Sequence, residues 1–179
     1  RFLHLHIAET ADLTVWPLLV SVGFTLTAFV IDDLTRFLVH FAMHRSDFLW
    51  RFHRLHHTAT TLTPFTVFRT HPVESLLNYL RSIVSLGVVS GGFIWAFGSQ
   101  LQVWDILGVN ALGFVLTLAG SNLRHSHIPL NFGRLERIFI SPAQHQLHHS
   151  KNHEHGNLGS YLSVWDDLAG TRIHGVLAR

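Results

Sequence analysis

A stretch near the start of the chain, LTVWPLLVSVGFTLTAFVIDDLTRFLVHFAMH (13–44), decides the fold. Its first part, from Leu13 to Ile31, carries no charged residue and is long enough to cross a bilayer as one α-helix. The helix is predicted to continue past two aspartates and an arginine to His40 and His44, so that these polar residues emerge from the hydrocarbon. The stretch therefore predicts a membrane helix, over about 13–40, whose continuation carries two histidines on one face.

Two further apolar segments predict a membrane hairpin. Ser82 to Trp104 and Ile106 to Leu123 are uncharged, and the sequence Gly-Ser-Gln at 98–100 interrupts the pattern between them. We expect membrane helices over about 76–97 and 102–121. The predicted fold class is therefore all-α: an integral membrane protein with three to four transmembrane helices and a helical cap on the cytoplasmic side.

Glycines in the first arm of this hairpin allow two interpretations. Gly87 and Gly91 form a GxxxG pair, which can mark a close contact between membrane helices. The alternative is that both glycines are merely tolerated in a membrane helix, and the sequence favours neither.

Composition agrees with a membrane protein. The 179 residues fit one domain, 47% of them are hydrophobic and only 13% are charged. There is no cysteine, which excludes disulfides, cysteine-ligated zinc, iron–sulfur clusters and thiolate-ligated haem. A formal net charge of +2 predicts no nucleic-acid partner. Because the chain begins at Arg1 without a methionine, we expect that N-terminal sequence is missing.

The distribution of basic residues predicts the topology. Five arginines lie between Asp32 and Glu74, six lysines or arginines follow Leu123, and the hairpin tip from Gly98 to Trp104 has none. Cytoplasmic loops of membrane proteins carry an excess of lysine and arginine. Both histidine-rich segments are therefore expected to face the cytoplasm, which is the condition for a shared site.

Histidines form four clusters with the spacing of metal ligands. Three imidazoles of an HxxHH motif share one stripe of a helix, and the motif occurs twice, as HRLHH and HQLHH. Neutral imidazole is the commonest protein metal ligand, and ten are too many for one ion. The sequence therefore predicts a site for two metal ions, with candidate ligands His40, His44, His53, His56, His57, His125, His127, His145, His148 and His149.

Capping signals predict helices under both HxxHH motifs. Asp47 is a candidate N-cap for a helix that runs through His57. Ser141 followed by Pro142 and Gln144 gives a stronger start signal, a capping box with proline at the first helical position.

Spacing alone does not identify the metal. The chain has no HExxH motif, which argues against a zinc protease, but imidazole suits both zinc and iron. Zinc would permit only Lewis-acid or hydrolytic chemistry, whereas a pair of redox metals at a membrane surface suits oxygen activation.

The ordered motifs resemble the fatty acid hydroxylase/sterol desaturase superfamily of integral-membrane di-iron enzymes. The matching segments run from Asp33 to Thr171 and are HFAMHR (40–45), LWRFHRLHH (49–57), FRTHPVE (68–74), SNLRHSH (121–127), SPAQHQLHHS (141–150), NLG (157–159) and WDDLAGT (165–171). The resemblance implies iron ligands at the HxxxH and HxxHH histidines, and at His125. His127 is less secure, because many relatives have asparagine there. His71, His153 and Asn157 are expected to support the ligands from the second shell.

The resemblance also implies a function. We expect O₂-dependent hydroxylation, or desaturation, of a lipid C–H bond by two iron ions. No dinucleotide fingerprint is present, so electrons are expected from an external donor such as a ferredoxin or a cytochrome b5-like protein. The expected location is a bacterial inner membrane, or an ER-type membrane. Two alternatives are a non-catalytic hydroxylase-like subunit of a larger membrane assembly and a histidine-rich metal carrier.

Overall fold

The described part of the chain contains six α-helices connected by turns and short 3₁₀ segments. The structure is a computed structural model that describes residues 15–98, 101 and 103–175. No strand occurs among these residues, and a single antiparallel bridge joins Phe139 to Leu162. The helices are α1 (Val15–Arg45), α2 (Asp47–His53), α3 (Pro72–Phe97), α4 (Val103–Arg124), α5 (Pro142–His148) and α6 (Val164–Ala169).

Three of these helices, α1, α3 and α4, are long and apolar enough to cross a membrane. They confirm the all-α membrane fold expected from the sequence. The first runs without a break through Asp32 and Asp33 to Arg45, so both histidines of the HxxxH motif lie on it, as predicted. Helix α3 begins at Pro72, one turn before the expected start. Residues 13, 14, 99, 100 and 102, at the predicted helix ends and hairpin tip, lie outside the described residues.

Helix α1 packs against both other long helices through its inner face. In its apolar half, the ring of Phe24 meets the edge of Phe93 on α3, with ring centroids 5.4 Å apart. In its polar half, Asp32 accepts a hydrogen bond from Arg81 on α3 at 2.7 Å, and also one from Arg36 on the next turn. Such paired charges are typical of polar residues inside a membrane bundle, where an isolated charge is costly.

The GxxxG pair of α3 makes no close helix contact among the described residues. A Cβ atom added at Gly87 or at Gly91 would have no atom within 4 Å. Of the two interpretations, the structure therefore supports glycines that are tolerated in a membrane helix.

The cap is built from short helices with clear start signals. Ser141 accepts a hydrogen bond from the backbone of Gln144, and the Gln144 side chain accepts one from the backbone of Ser141, which confirms the predicted capping box. The prediction for α2, the helix that leads into the earlier HxxHH motif, was wrong in two details. Its N-cap is Ser46 rather than Asp47, and it ends at His53 instead of continuing through His57.

Buried aspartates fasten the C-terminal segment to the bundle. Asp33 of α1 is fully buried and accepts hydrogen bonds from the backbone of Tyr161 and Leu162 and from the indole of Trp165, at 2.9–3.0 Å. Asp166 accepts bonds from the Leu158 and Gly159 amides and the Thr171 hydroxyl, and its burial raises its pKa. These bonds hold the segment after α5 against the histidine-bearing end of α1.

Candidate metal centre

The predicted ligands converge into two adjacent groups at one end of the long helices. In each group the potential ligand atoms lie within 4.8 Å of one another. The first histidine group consists of His40, His44, His53, His57 and His148. The second histidine group consists of His56, His125, His145 and His149. The rings of His57 and His149 stack at 4.4 Å, so the two groups adjoin.

Helix geometry explains why the later HxxHH motif supplies both groups. Successive residues of an α-helix turn by about 100°, so position i+4 lies about 40° to one side of position i and position i+3 about 60° to the other. His145 on α5 and His149 at its C-cap accordingly join the second group, and His148 joins the first.

The earlier motif divides in the same way with the groups exchanged. His53 and His57 join the first group and His56 joins the second. The second and third of these histidines lie on a 3₁₀ turn (His56–Thr58), not on α2. The prediction that all three would share one helical stripe is therefore wrong for this motif.

Distances between imidazole nitrogens match those of ligands around a metal. Metal–imidazole bonds are about 2.0–2.1 Å long, so two ligands at right angles hold their nitrogens about 3 Å apart. In the first group, the Nε2 atoms of His40 and His53 are 3.1 Å apart. In the second group, Nε2 of His125 lies 3.0 Å from Nε2 of His56 and 3.0 Å from that of His145.

The protonation states make these short distances informative. His125 donates its Nδ1 hydrogen to the carbonyl oxygen of Ser121 at 2.7 Å. Burial lowers the pKa of His125 to about 4, so the ring is neutral near pH 7 and its Nε2 carries a lone pair. Burial, then the neighbouring imidazoles, also holds the pKa of His145 well below its ordinary value. Neutral imidazoles whose Nε2 atoms face one another at these distances fit a bound cation.

Three members of the first group are oriented by hydrogen bonds from their outer nitrogen. His40 donates from Nδ1 to the carbonyl of Leu158 at 2.7 Å, and His148 donates to the carbonyl of Gly156 at 2.9 Å. Nδ1 of His53 lies 2.9 Å from the buried carboxylate of Glu74. Each bond places the ring hydrogen on Nδ1 and leaves the lone pair on Nε2. The Nε2 atom of His148 is buried without a hydrogen-bond partner among the described residues. These residues therefore fit a metal.

Four residues predicted at the site lie outside both groups, namely His71, His127, His153 and Asn157. His127 is exposed, two residues beyond its buried neighbour in the RHSH motif. His71 caps α3 by accepting a hydrogen bond from the amide of Val73. His153 is half-buried and contacts the hydroxyl of Ser150.

Asn157 supports the first group through the backbone. It is fully buried at a left-handed φ of 54°, and its side chain bonds the Gln144 carbonyl and the Ile173 amide. The carbonyls on either side of it, Gly156 and Leu158, accept hydrogen bonds from His148 and His40 of the first group. The turn at Asn157 therefore sets the direction of both carbonyls.

Sequence reasoning missed the role of Glu74. This residue lies in the first turn of α3, on the next long membrane helix, yet its carboxylate reaches His53, 21 residues earlier in the chain. The signal was present in the HPVE segment, where a single acid follows a histidine next to a membrane helix. His40, His125 and His148 donate to backbone carbonyls instead, and no residue type in the sequence marks which carbonyls accept.

A cavity of about 280 Å³ lies beside both groups. His40 and His53 of the first group line it, together with His125 and His145 of the second. The cavity gives a small molecule or a chain end room next to both candidate metal positions.

Comparisons with known proteins agree with this arrangement. The profile of the family described as fatty acid hydroxylase matches residues 25–171. The chain is 31% identical over 158 residues to an ornithine lipid hydroxylase of Rhizobium tropici, which covers 87% of this chain and 43% of the relative. It is 26% identical to the human alkylglycerol monooxygenase, over 81% of this chain and 29% of the relative.

A third relative, methylsterol monooxygenase 1 of Danio rerio, is 26% identical over 87% of this chain and 48% of the relative. The chain thus spans less than half the length of each of these proteins. No solved structure matches the chain. The family match, which includes all nine converging histidines, shows that this chain belongs to the fatty acid hydroxylase family.

Proposed function

We propose that the protein is a membrane-bound di-iron monooxygenase that hydroxylates a C–H bond of a lipid. The observation that carries the proposal is the pair of adjacent all-histidine groups at one end of three apolar helices. The names of the relatives, which are lipid hydroxylases and monooxygenases, support the same reaction class. Desaturation is the second outcome that we expect of such a centre.

The donor set suits a pair of iron ions that keep open coordination positions. The two groups offer five and four imidazoles, so neither completes a six-coordinate shell with protein nitrogens alone. Bound iron would supply oxygen activation and C–H oxidation, which no side chain at the site can perform. The protein orients the imidazoles, keeps the site dry and positions the substrate.

The reaction balances only with outside electrons. One O₂, two electrons and two protons convert a C–H bond to C–OH and release one water. We assign the electrons to a reduced carrier protein such as a ferredoxin or a cytochrome b5-like protein. We also place the site on the cytoplasmic side of a bacterial inner membrane or an ER-type membrane, supported by the basic residues on the histidine-bearing segments.

Metal analysis joined to product analysis tests this function. The full-length protein, purified in detergent and loaded with Fe²⁺, is expected to bind two irons per chain. With a chemical reductant and O₂, a total lipid extract should yield a lipid that gains one oxygen atom, detected by mass spectrometry. Binding of two irons without any oxidised lipid would favour the non-catalytic subunit, and transport of metal without lipid oxidation would favour the carrier.

The RHSH motif provides a matched pair of variants. His125→Ala removes a buried member of the second group, and we expect it to abolish product and lower iron content. His127→Ala changes an exposed histidine two residues away, and we expect it to retain both. Equal loss in the two variants would show that the convergence of the second group does not define the metal site.

A further inference from the structure

A second cavity lies among the membrane helices. Its volume is about 470 Å³, and α1, α3 and α4 all contribute to its wall. Ile83 on α3 and Phe114 on α4 line it while also being more than half exposed at the outer surface. The cavity therefore opens between these helices to the side, where the acyl chains of a bilayer would lie.

This membrane-depth cavity shares part of its wall with the cavity of about 280 Å³ beside the histidine groups. Arg36 and Thr117 line both. The hydroxyl of Tyr161 donates to the Thr117 hydroxyl at 3.0 Å, and a Cβ atom at Gly120 would lie 3.0 Å from the Tyr161 ring. Arg36, Thr117 and Tyr161 thus form a partition between the space at membrane depth and the space beside the metals.

The polarity of the membrane-depth cavity changes along its length. Ala28, Leu86 and Val109 line it at the level of the apolar core. Toward the partition, the lining residues on α1 are the charged Asp32 and Arg36. Asp32 also accepts from Arg81, so two guanidinium groups share one carboxylate and the polar end carries a surplus positive charge.

We propose that this cavity holds one acyl chain of a bilayer lipid, with the polar end of that lipid directed through the partition toward the metals. The inference rests on the proposed function, because it assigns the substrate of the same site. Thr25 and Arg36 mark the extent of the cavity on α1, a separation of roughly 16 Å along a helix axis. This length suits an extended chain.

The orientation has a chemical consequence. An amphipathic lipid keeps its tail in the apolar part and its polar group at the charged end. The carbons that lie next to the metals are then those closest to the polar group, and the terminal methyl end is furthest away. The cavity therefore makes the enzyme selective for C–H bonds near the head of the lipid, with Arg36, Thr117 and Tyr161 as specificity-determining residues.

Two glycines of α4 give a matched test. Gly113 lines the cavity and Gly108 is exposed outside its lining, and a Cβ atom at either position meets nothing within 4 Å. The full-length protein is placed in phosphatidylcholine vesicles that contain a palmitoyl phospholipid with a photoreactive diazirine in mid-chain. Labelled peptides are mapped after illumination. Label is expected on residues around Phe29 and Leu112, reduced about tenfold in Gly113→Leu by filled space and unchanged in Gly108→Leu.

Chain binding and chemistry are measured separately. Iron content in both variants should equal that of the unmodified protein, since neither glycine is near a ligand group. Fragmentation of the oxidised lipid should place the new oxygen on a carbon close to the polar group. Label spread evenly over the outer helix faces, equal labelling of both variants, or oxygen near the methyl end would overturn the inference. Cavity labelling with two irons but no oxidised lipid would instead overturn the proposed function and leave the lipid site standing.

Discussion

The two histidine groups differ in how firmly their ligands are held. In the first group, three of five imidazoles are fixed from behind by Leu158, Gly156 and Glu74. In the second group, His125 is fixed by a carbonyl, whereas the outer nitrogens of His145 and its neighbour His149 are buried without a partner among the described residues. The first group is therefore the more numerous and the better oriented of the two.

On the proposed function, this difference predicts that the two groups bind their metals with different affinities. Second-shell hydrogen bonds fix the orientation of a ligand and raise its basicity, so the first group should bind its metal more tightly. The second group has fewer ligands and looser ones, which favours a metal that can change its coordination. Four predictions test the asymmetry.

Substitution of one unsupported ligand in each group should give the largest contrast. His57 and His149 stack on each other, and each has an outer nitrogen without a partner in the described part of the chain. We expect His149→Ala, which leaves three ligands, to reduce the iron content from two to one per chain. His57→Ala leaves four ligands and should still bind two irons at saturating Fe²⁺. Elemental analysis of both purified variants checks the ranking, and the reverse ranking would contradict it.

Removal of the carboxylate behind the first group should have the next largest effect. Glu74→Ala deletes the partner of His53 and is expected to weaken one of the two metal-binding steps about 10–100-fold. Chelator competition measures both steps. The control is His71→Asn, which keeps a capping side chain on the same helix and should leave both affinities unchanged. Equal weakening of both steps by Glu74→Ala would argue against separate sites.

The third largest effect is expected at the turn around Asn157, where a substitution should lower both the free energy of unfolding and the metal affinity. Asn157→Ala loses two buried hydrogen bonds and places alanine at a left-handed φ, whereas Asn157→Gly loses the bonds but tolerates the backbone. We expect the alanine variant to be less stable than the glycine variant by about 1 kcal/mol. Thermal unfolding of the metal-free proteins in detergent measures the difference. Identical stabilities would mean that this backbone conformation is not under strain.

The smallest effect is expected at His153. Its half-buried ring contacts Ser150 and lies in neither group. His153→Gln should change the free energy of unfolding by no more than about 0.5 kcal/mol, the usual range for sites away from a core or a network. Both metal affinities should stay the same in the chelator competition. A loss of one iron would assign this residue to the site after all.

Sequence spacing predicted most of the site because metal ligation constrains residues that are close in the chain. The HxxxH pair and both HxxHH motifs converge as expected, and the capping box at Ser141 sets the start of α5. The division of the later motif between the two groups also follows from helix geometry, since His148 lies on the opposite side of His145 from His149.

Spacing could not reveal contacts made across the fold. His40 meets the Leu158 carbonyl 118 residues later, and Asp33 meets the amide of Tyr161 128 residues later. Carbonyl acceptors exist at every residue, so no residue type marks the ones that are used. For the same reason, His71 was expected to support a ligand, whereas Glu74, one turn further along α3, is the residue that contacts one.

The wide sequence separation between Asp33 and its hydrogen-bond partners also has a consequence for folding during synthesis. Asp33 is synthesised more than a hundred residues before Tyr161, Leu162 and Trp165, the residues from which it accepts hydrogen bonds. His148 and the Leu158 carbonyl arrive in the same late segment. Until that segment has been made, the nascent chain holds Asp33 without these partners and only part of the first histidine group, so a metal site that uses all nine histidines can form only after the segment that follows α4 folds back.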